Sequence, residues 1–263
     1  MMQTSQELYR EFIRYVARVR DTIREQIGTV LFDTTMTYDE FNDECYEVMY
    51  QKMKGQGEVP SKELLWEQIN GSKQVCERCT RFFLHPRSNL DKKADVVTGA
   101  QIEKPFVDFF NSKGIEAFLA NEEDMRLPDI GVKDKSGETV ALLEIKYHNA
   151  PFIKARKYVS NTTDCYDGSL TLDIEKVKRQ VLHTQERYPD AELIVVHWID
   201  FPCIKCIMWD FLENVGSEVY ERKYRAGDYV EGRKVGYTKK TYHYVRFLRD
   251  FASLIEHLIK ISR

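Results

Sequence analysis

Apolar residues recur at intervals of three and four positions in the N-terminal part of the chain, which is the pattern of amphipathic helices. The first such stripe consists of Leu8, Phe12, Ile13, Tyr15, Val16, Val19 and Ile23. Gly28 is expected to end this helix, because glycine is common just beyond a helix C-terminus. Three further helices are predicted over residues 38–53, 60–69 and 72–83. Residues 1–95 are therefore expected to form a helical N-terminal region that provides dimer or DNA contacts.

The pattern changes near the end of the first hundred residues, where predicted strands begin to alternate with helices. Residues 99–113 predict one helix that is closed by Gly114, with Pro105 near its first turn. A short strand is then predicted over 115–120, and an acidic loop over 121–128.

A β-hairpin is predicted next, with arms at 129–134 and 139–148 and a glycine-containing turn at 135–138. An amphipathic helix over 173–188 and a continuously apolar strand over 192–200 follow it. Such a strand is typical of a position buried on both faces of a sheet. The order helix, strand, hairpin, helix and buried strand predicts an α/β fold in which helices flank a mixed central sheet.

The composition is that of a folded globular protein. Of the 263 residues, 43% are hydrophobic and 31% are charged, so the chain can bury a substantial core. No apolar run approaches the roughly 18–20 residues that are needed to cross a bilayer. Charged residues occur within the first ten positions, which argues against a signal peptide. We therefore expect a soluble, cytoplasmic protein with no membrane partner.

Charge is unevenly distributed along the chain. The formal net charge of −3 excludes a uniformly basic protein that coats DNA. Residues 216–263 nevertheless contain 11 Lys and Arg against 6 Asp and Glu, a local charge of +5, which leaves −8 for the preceding residues. This basic segment is rich in tyrosine, and the alternation over 238–247 predicts strands. We expect it to be a C-terminal extension packed on a central domain of residues 96–215.

Three residues of the predicted hairpin carry the candidate chemistry. Asp129 lies at the start of the first arm, and Glu144 and Lys146 lie late in the second arm. Because side chains alternate along a strand, Glu144 and Lys146 are expected to share one face with Val140 and Leu142. The opposite face of this arm is apolar and is expected to belong to the core.

Asp129 and Glu144 are expected to approach each other across the hairpin. Two carboxylates at that distance repel unless a hard cation lies between them. Mg²⁺ suits such a site, because it takes few protein carboxylates and keeps water and phosphate oxygens as its other ligands. Beside the bound water, Lys146 would stabilise hydroxide and offset the charge of a phosphate, as hydrolysis of a phosphodiester requires.

The sequence PD at 128–129 followed by EIK at 144–146 resembles the signature of the PD-(D/E)XK nuclease superfamily, which includes most type II restriction endonucleases. The resemblance implies a restriction-endonuclease-like fold, a mixed central sheet flanked by helices with the signature on a hairpin. It also implies that Asp129 and Glu144 bind one or two Mg²⁺ ions and that Lys146 is the catalytic lysine. The alternative is a surface hairpin that carries an incidental pair of charges.

Many members of that superfamily carry an acidic residue on the helix before the hairpin, and Glu103 occupies this place. By resemblance, Glu103 would be a further catalytic acid that holds a metal-bound water or a second ion.

Candidate DNA contacts are basic residues near the signature and in the C-terminal extension, because phosphate binding requires cations. They are Lys154, Arg156, Lys157, Lys239 and Lys240. The alternative for each of them is a solvated surface charge.

Four of the six cysteines form two C-x-x-C pairs, and four thiolates could hold a structural zinc ion. These residues are Cys76, Cys79, Cys203 and Cys206. The pairs lie far apart in the chain, and the second follows an apolar run, so we favour buried structural thiols over a zinc site.

No other catalytic motif is found: the sequence has no Walker-type phosphate loop, no G-x-S-x-G and no H-E-x-x-H. We assign no function to the histidines at 148, 183, 197 and 243, because metal-assisted hydrolysis does not require one.

The favoured hypothesis is a Mg²⁺-dependent type II restriction endonuclease that cleaves double-stranded DNA at a specific sequence as a homodimer. The dimer is implied by the resemblance alone. One alternative is a structure-specific nuclease of DNA repair or recombination. Another is a non-catalytic DNA-binding protein with a nuclease-like fold, against which the presence of Asp129, Glu144 and Lys146 argues.

Overall fold

A computed structural model describes residues 3–16, 92–148, 170–200, 205–216, 221–226, 229–230, 233–234, 237–243 and 248–263. Several sequence predictions lie outside the described residues. They concern the helices at 38–53, 60–69 and 72–83, the end of the first helix at Gly28, the basic residues Lys154, Arg156 and Lys157, and the cysteines Cys76, Cys79 and Cys203.

The described residues form five α-helices and eleven strands. The helices are α1 (Ser5–Ile13), α2 (Lys92–Ser112), α3 (Ala120–Glu123), α4 (Ile174–Arg187) and α5 (Phe251–Ile261). The strands are β1 (Glu116–Leu119), β2 (Ile130–Lys133), β3 (Thr139–His148), β4 (Leu170–Asp173), β5 (Glu192–Asp200), β6 (Lys205–Phe211), β7 (Glu221–Ala226), β8 (Tyr229–Val230), β9 (Arg233–Lys234), β10 (Tyr237–His243) and β11 (Arg249–Asp250). A 3₁₀ turn, Leu212–Gly216, follows β6.

Six of these strands form a central sheet in the order β1-β2-β3-β5-β6-β11. Strands β3 and β5 are parallel, and the other neighbouring pairs are antiparallel. Residues of α1, α2 and α5 belong to the larger hydrophobic core, whereas α4 packs on Val195 and Leu193 of β5 in a smaller cluster. The predicted α/β fold, a mixed central sheet flanked by helices, is confirmed.

Helix α1 is anchored in the larger core by aromatic contacts. The fully buried ring of Phe12 lies 4.3 Å from that of Phe106 and 5.3 Å from that of Trp198, measured between ring centroids. The indole N–H of Trp198 donates a hydrogen bond to the hydroxyl of Tyr9 at 3.2 Å. The N-terminal helix is therefore tied directly to the central strand β5 rather than resting on the surface.

Helix α1 is shorter than the sequence predicts. It begins with a capping box formed by Thr4 and Glu7 and ends at Ile13. The backbone N–H groups of Tyr15 and Val16 then donate to carbonyls three residues earlier, at 2.9 and 3.2 Å. Such bonds tighten the chain into a turn after the helix. Val16 lies in this turn, beyond the end of the helix, and is buried.

Helix α2 begins before the predicted start, so that Pro105 lies in its interior and not in its first turn. Proline lacks an N–H group and removes one hydrogen bond from a helix. Burial of one face of the helix offsets this loss; the buried residues are Ile102, Phe106, Phe109 and Phe110. Gly114 closes the helix as predicted, with φ at +77° and its N–H donating to the carbonyl of Asn111 at 3.0 Å.

The predicted hairpin is formed by β2 and β3. In its turn, the Asp134 carboxylate accepts the backbone N–H groups of Ser136 and Glu138 at 2.9 and 3.0 Å, and Gly137 has φ at +86°. Lys133 pairs with Thr139 and Val132 with Ala141, which leaves Val140 out of the ladder. Because of this bulge, Val140 packs against the larger core and not beside Glu144 as strict alternation predicted.

Several other elements follow or extend the sequence predictions. The predicted strand at 115–120, helix at 173–188 and strand at 192–200 are present as β1, α4 and β5. The predicted acidic loop begins with the single turn α3, and strand β6 was not predicted. Strand β10 confirms the strand pattern predicted over 238–247 as far as residue 243, and with β4 and β7 it forms a second sheet in the order β4-β10-β7.

Two further predictions bear on the described part of the chain. Cys206 is buried in β6 within the larger core, as expected of a structural thiol. Among the residues that the structure describes, no helix combines the length and apolarity that crossing a membrane requires.

Candidate active site

The hairpin places the carboxyl groups of Asp129 and Glu144 side by side. Asp129 directly precedes β2, and Ile130 pairs with Leu143, so the next position along the ladder sets Asp129 against Glu144. The Asp129 carboxylate accepts the backbone N–H of Ile145 at 2.7 Å. The structure therefore brings the two predicted metal ligands together at the end of the hairpin.

Glu144 is almost completely buried, with 1% of its surface exposed. Its Oε1 atom contacts the ammonium group of Lys146 and, at 2.5 Å, that of Lys176 on α4. Its Oε2 atom accepts a hydrogen bond from the amide of Gln180. Burial alone would raise the pKa of Glu144, but the two lysines outweigh it and hold the pKa below its usual value. Glu144 is therefore ionised and fully paired.

Asp129 has the opposite electrostatic environment. Burial raises its pKa to about 7, and the neighbouring negative charges of Glu144 and Glu103 add to this, although Lys146 partly opposes it. In the absence of a cation, Asp129 is therefore the acid that keeps a proton below about pH 7, whereas Glu144 is ionised.

Glu103, on α2, is the third acid of the cluster. Its Oε2 atom accepts a hydrogen bond from the side-chain amide of Asn121 at 2.8 Å. Burial raises the pKa of Glu103, and the charge of Glu144 raises it further, while the Asn121 hydrogen bond lowers it. Asn121 belongs to α3, so this short turn in the predicted acidic loop positions Glu103 toward the hairpin.

The donors at this site suit a hard divalent cation. Carboxylate oxygens are the ligands that Mg²⁺ prefers, and the pKa values of Asp129 and Glu103 are raised chiefly by burial, with a further rise from the charge of Glu144. Asp129 and Glu144 are the residues that would hold the ion. The buried Oε1 atom of Gln180 has no hydrogen-bond partner within the described residues, and such an acceptor suits a metal-bound water.

The site is not a ready-made metal cage. No three His, Cys, Asp or Glu side chains among the described residues are grouped closely enough to hold an ion together. The oxygens of Glu144 are instead occupied by the two lysines and by Gln180. A cation that binds Glu144 would therefore compete with an ammonium group at Oε1 or with the Gln180 amide at Oε2.

Lys176 and Gln180 are site residues that the sequence did not reveal. They are four positions apart on α4, so they lie on one face of this helix and reach Glu144 together. A signal was present: Gln180 and Thr184 interrupt the apolar stripe to which Val177 and Val181 belong. A polar residue in the buried stripe of a helix indicates a polar partner on the facing sheet.

The side chains of His148, His183 and His197 have local partners. The rings of His148 and His197 are linked by a 3.0 Å contact between Nε2 and Nδ1. Burial, with a smaller contribution from Lys146, lowers the pKa of His148 to about 3, so this residue is neutral. His183 contacts the Asp124 carboxylate at 2.9 Å, which connects α4 to the loop before Asp129.

The predicted DNA contacts Lys239 and Lys240 lie on strand β10 of the second sheet. In the backbone register, Lys240 is opposite Lys223 of β7 and opposite Asp173 of β4. Because β4 runs directly into α4, the second sheet adjoins the helix that carries Lys176.

No protein-family model matches the chain, and no curated protein matches it. Among solved structures, a similarity is found to a 1.6 Å structure of Hjc from Archaeoglobus fulgidus, a Holliday junction resolvase from an archaeal hyperthermophile. The identity is 13% and the TM-score 0.33, over 59% of this chain and 92% of that one.

Proposed function

We propose that this protein is a Mg²⁺-dependent DNA endonuclease that hydrolyses phosphodiester bonds. The observation that carries the proposal is the ionised carboxylate of Glu144, which is 1% exposed, lies beside Asp129 and contacts Lys146. Burying acids in this way is costly, and a purely structural hairpin has no need of it.

Each residue of the cluster has a role in the proposed reaction. Asp129 and Glu144 would hold the cation, which when bound supplies Lewis acidity and a more acidic water. Lys146 lies at Glu144 Oε1 and would stabilise the attacking oxygen as it loses its proton. Glu103, held by Asn121, would orient a water at the edge of the site. The attacking water gives its proton to solvent, and the new bond joins its oxygen to phosphorus. The bond from phosphorus to the leaving sugar oxygen breaks, and that oxygen takes a proton from solvent.

The charge of the site suits an anionic substrate. With a divalent cation bound and Glu103, Asp129 and Glu144 ionised around it, the three acids, Lys146, Lys176 and the ion sum to +1. Without the ion, a proton on Asp129 brings the sum of the remaining charges to zero. A phosphodiester carries one negative charge, which increases as the nucleophile attacks, so the cation-loaded site attracts the substrate more strongly.

The proposed substrate is double-stranded DNA cut at a specific sequence by a homodimer, as in a type II restriction enzyme. The basic C-terminal extension supports DNA as the substrate, because its strand β10 carries Lys239 and Lys240 next to α4. Cleavage at specific sites and the dimer rest on the motif resemblance. The structure-specific nuclease of repair or recombination remains the competing proposal, since it would use the same site.

Plasmid digestion tests these proposals directly. Purified protein is incubated with supercoiled plasmid, linear duplex and a four-way junction, each with Mg²⁺ and with EDTA. Discrete plasmid fragments in Mg²⁺ support a restriction enzyme, and selective cutting of the junction supports a structure-specific nuclease. Binding of DNA with no cleavage in Mg²⁺ or Mn²⁺ would contradict both and favour the non-catalytic DNA-binding protein.

A further inference from the structure

Helix α4 brings a second ammonium group into the candidate site. The Nζ atom of Lys176 lies 2.5 Å from Glu144 Oε1, the same oxygen that Lys146 contacts. On the basis of the proposed nuclease function, we propose that Lys176 is a second catalytic lysine that binds a non-bridging oxygen of the scissile phosphate. The PD-(D/E)XK motif resemblance assigns this role to no residue on α4.

Glu144 is shared by two ammonium groups. Lys146 pairs with Oε1, and Gln180 donates to Oε2. Lys176 contacts the same Oε1 atom, so two positive charges face one carboxylate. These three groups together carry an excess of one positive charge, which a substrate anion can use.

The position of Lys176 suits contact with a substrate that arrives from solvent. Its side chain is 46% exposed, compared with 26% for that of Lys146 and 1% for that of Glu144. Lys176 is therefore the more accessible of the two lysines to a phosphate that arrives from solvent.

The start of α4 is also an unfavourable place for a cation. Lys176 is the third residue of the helix, where the helix dipole favours negative charge. The Nζ atom of Lys176 nevertheless faces the Glu144 carboxylate at 2.5 Å. A cation kept in this position is oriented by the anion that it faces.

Binding of the metal changes the partner of Lys176. A cation held by Glu144 would compete with the ammonium groups for the carboxylate, and Lys176, the more exposed lysine, would be the easier one to displace. The displaced ammonium would stay near the acids of the site, where an incoming phosphate adds a further anion. With one divalent cation bound, the net charge of the three acids, the two lysines and the ion is +1. Without Lys176 this net charge would be zero.

The test compares wild type with K176A, K176M and the matched control K178A. Lys178 is an exposed lysine two residues along the same helix, so its removal changes the net charge equally. We expect K176A and K176M to lower the single-turnover rate of DNA cleavage about 100- to 1,000-fold at saturating Mg²⁺, the range for loss of one transition-state donor. K178A should cleave at the wild-type rate.

Metal binding provides a readout that does not depend on cleavage. Titration of the metal-free proteins with Mn²⁺ in a calorimeter should give tighter binding to K176A, by about two- to fivefold, because one competitor for Glu144 is gone. A purely supporting role predicts the opposite, weaker Mn²⁺ binding with cleavage restored by excess metal. That result, or wild-type cleavage by K176A and K176M, would overturn the inference and leave the proposed function intact. Absence of cleavage by the wild type would overturn the proposed function as well.

Discussion

The carboxylate of Asp129 accepts a hydrogen bond from the backbone N–H of Ile145 at 2.7 Å. Because Ile145 follows Glu144 directly, this bond connects the first acid of the site to the strand that carries the second. The two acids are thus held by the β-ladder of the hairpin rather than by a flexible loop. Buried acids at fixed positions provide an electrostatic arrangement that a cation can complete without reorganisation.

Replacing Asp129 by Asn should stabilise the metal-free protein above neutral pH. An acid whose pKa is raised on folding, here from 3.8 to about 7, destabilises the folded state once it ionises. The penalty is fully present above pH 7 and disappears as the pH falls toward 4. We expect a melting temperature for D129N several degrees above that of wild type at pH 8 in EDTA, and an advantage that shrinks toward pH 5.

D134N is the matched control for this experiment, because Asp134 lies on the same hairpin and its pKa is shifted the other way. The hydrogen bonds of Ser136, followed by those of Glu138, hold the pKa of Asp134 below its usual value despite some desolvation. D134N should therefore lose stability at pH 7, with the difference vanishing as the pH falls below about 3.8. A melting temperature of D129N at pH 8 equal to or below that of wild type would contradict the proposed strain at Asp129.

Divalent cations should stabilise the folded protein through the acidic cluster. At about 100 times its dissociation constant, a ligand that binds only the folded state adds about 2.7 kcal/mol. Mg²⁺ and Mn²⁺ should therefore raise the melting temperature of wild type by several degrees, and D129N and E144Q should lose this response. E122Q, which removes an exposed acid from nearby α3, should keep it. If Mg²⁺ or Mn²⁺ raised the melting temperature of E144Q as much as that of wild type, the ion would bind outside this acidic cluster.

About half of the candidate site could be predicted from the sequence. Asp129, Glu144 and Lys146 were found because the short hairpin fixes their relation through local strand geometry. Glu103 was found by its place on the preceding helix. Their catalytic roles stay predictions, while the structure shows that all four lie in one cluster.

Lys176 could not be predicted, because its contact with Glu144 depends on how α4 docks on the sheet. A lysine on an amphipathic helix is ordinarily solvated, and nothing local distinguishes Lys176 from Lys178. Likewise, the predicted start of this helix at residue 99, with Pro105 near the first turn, was wrong. The burial of α2 on the sheet, a tertiary effect, is what maintains the helix through Pro105.

The contacts of Asp124 should be important for the position of α4. Its carboxylate pairs with Arg126 and with His183 and Arg187 of α4, and these bonds hold its pKa far below the usual value. We expect D124N to lower the melting temperature at pH 7 and to reduce cleavage several-fold by loosening α4. The stability difference should disappear in acid as the wild-type carboxyl becomes protonated.

The control for D124N is E123Q, which removes the neighbouring, more exposed acid at 3.9 Å from Arg187. It should change neither the melting temperature nor cleavage, because a long, exposed ion pair contributes little. Equal effects of E123Q and D124N would show that the loop acts through its charge alone.

Because Gly131 of the hairpin has no side chain, the aromatic ring of Phe118 on β1 can lie directly against it. A Cβ atom at this position would lie 2.3 Å from Cζ of Phe118, which pairs with Gly131 across β1 and β2. G131A should therefore displace the ring and lower the free energy of unfolding by about 1–3 kcal/mol in chemical denaturation. Adding F118A to G131A removes the clash, so the double variant should be no less stable than F118A alone. Wild-type stability of G131A would contradict this packing.

The most direct test of the central claim is single-turnover cleavage of DNA by wild type, D129N, E144Q and K146A, with E122Q as the charge control. The claim predicts cleavage by wild type and E122Q in Mg²⁺, none in EDTA, and losses of at least about 100-fold for the three site variants. Cleavage that survives in D129N or E144Q, or a wild-type protein inactive on duplex, plasmid and junction DNA in both Mg²⁺ and Mn²⁺, would contradict it.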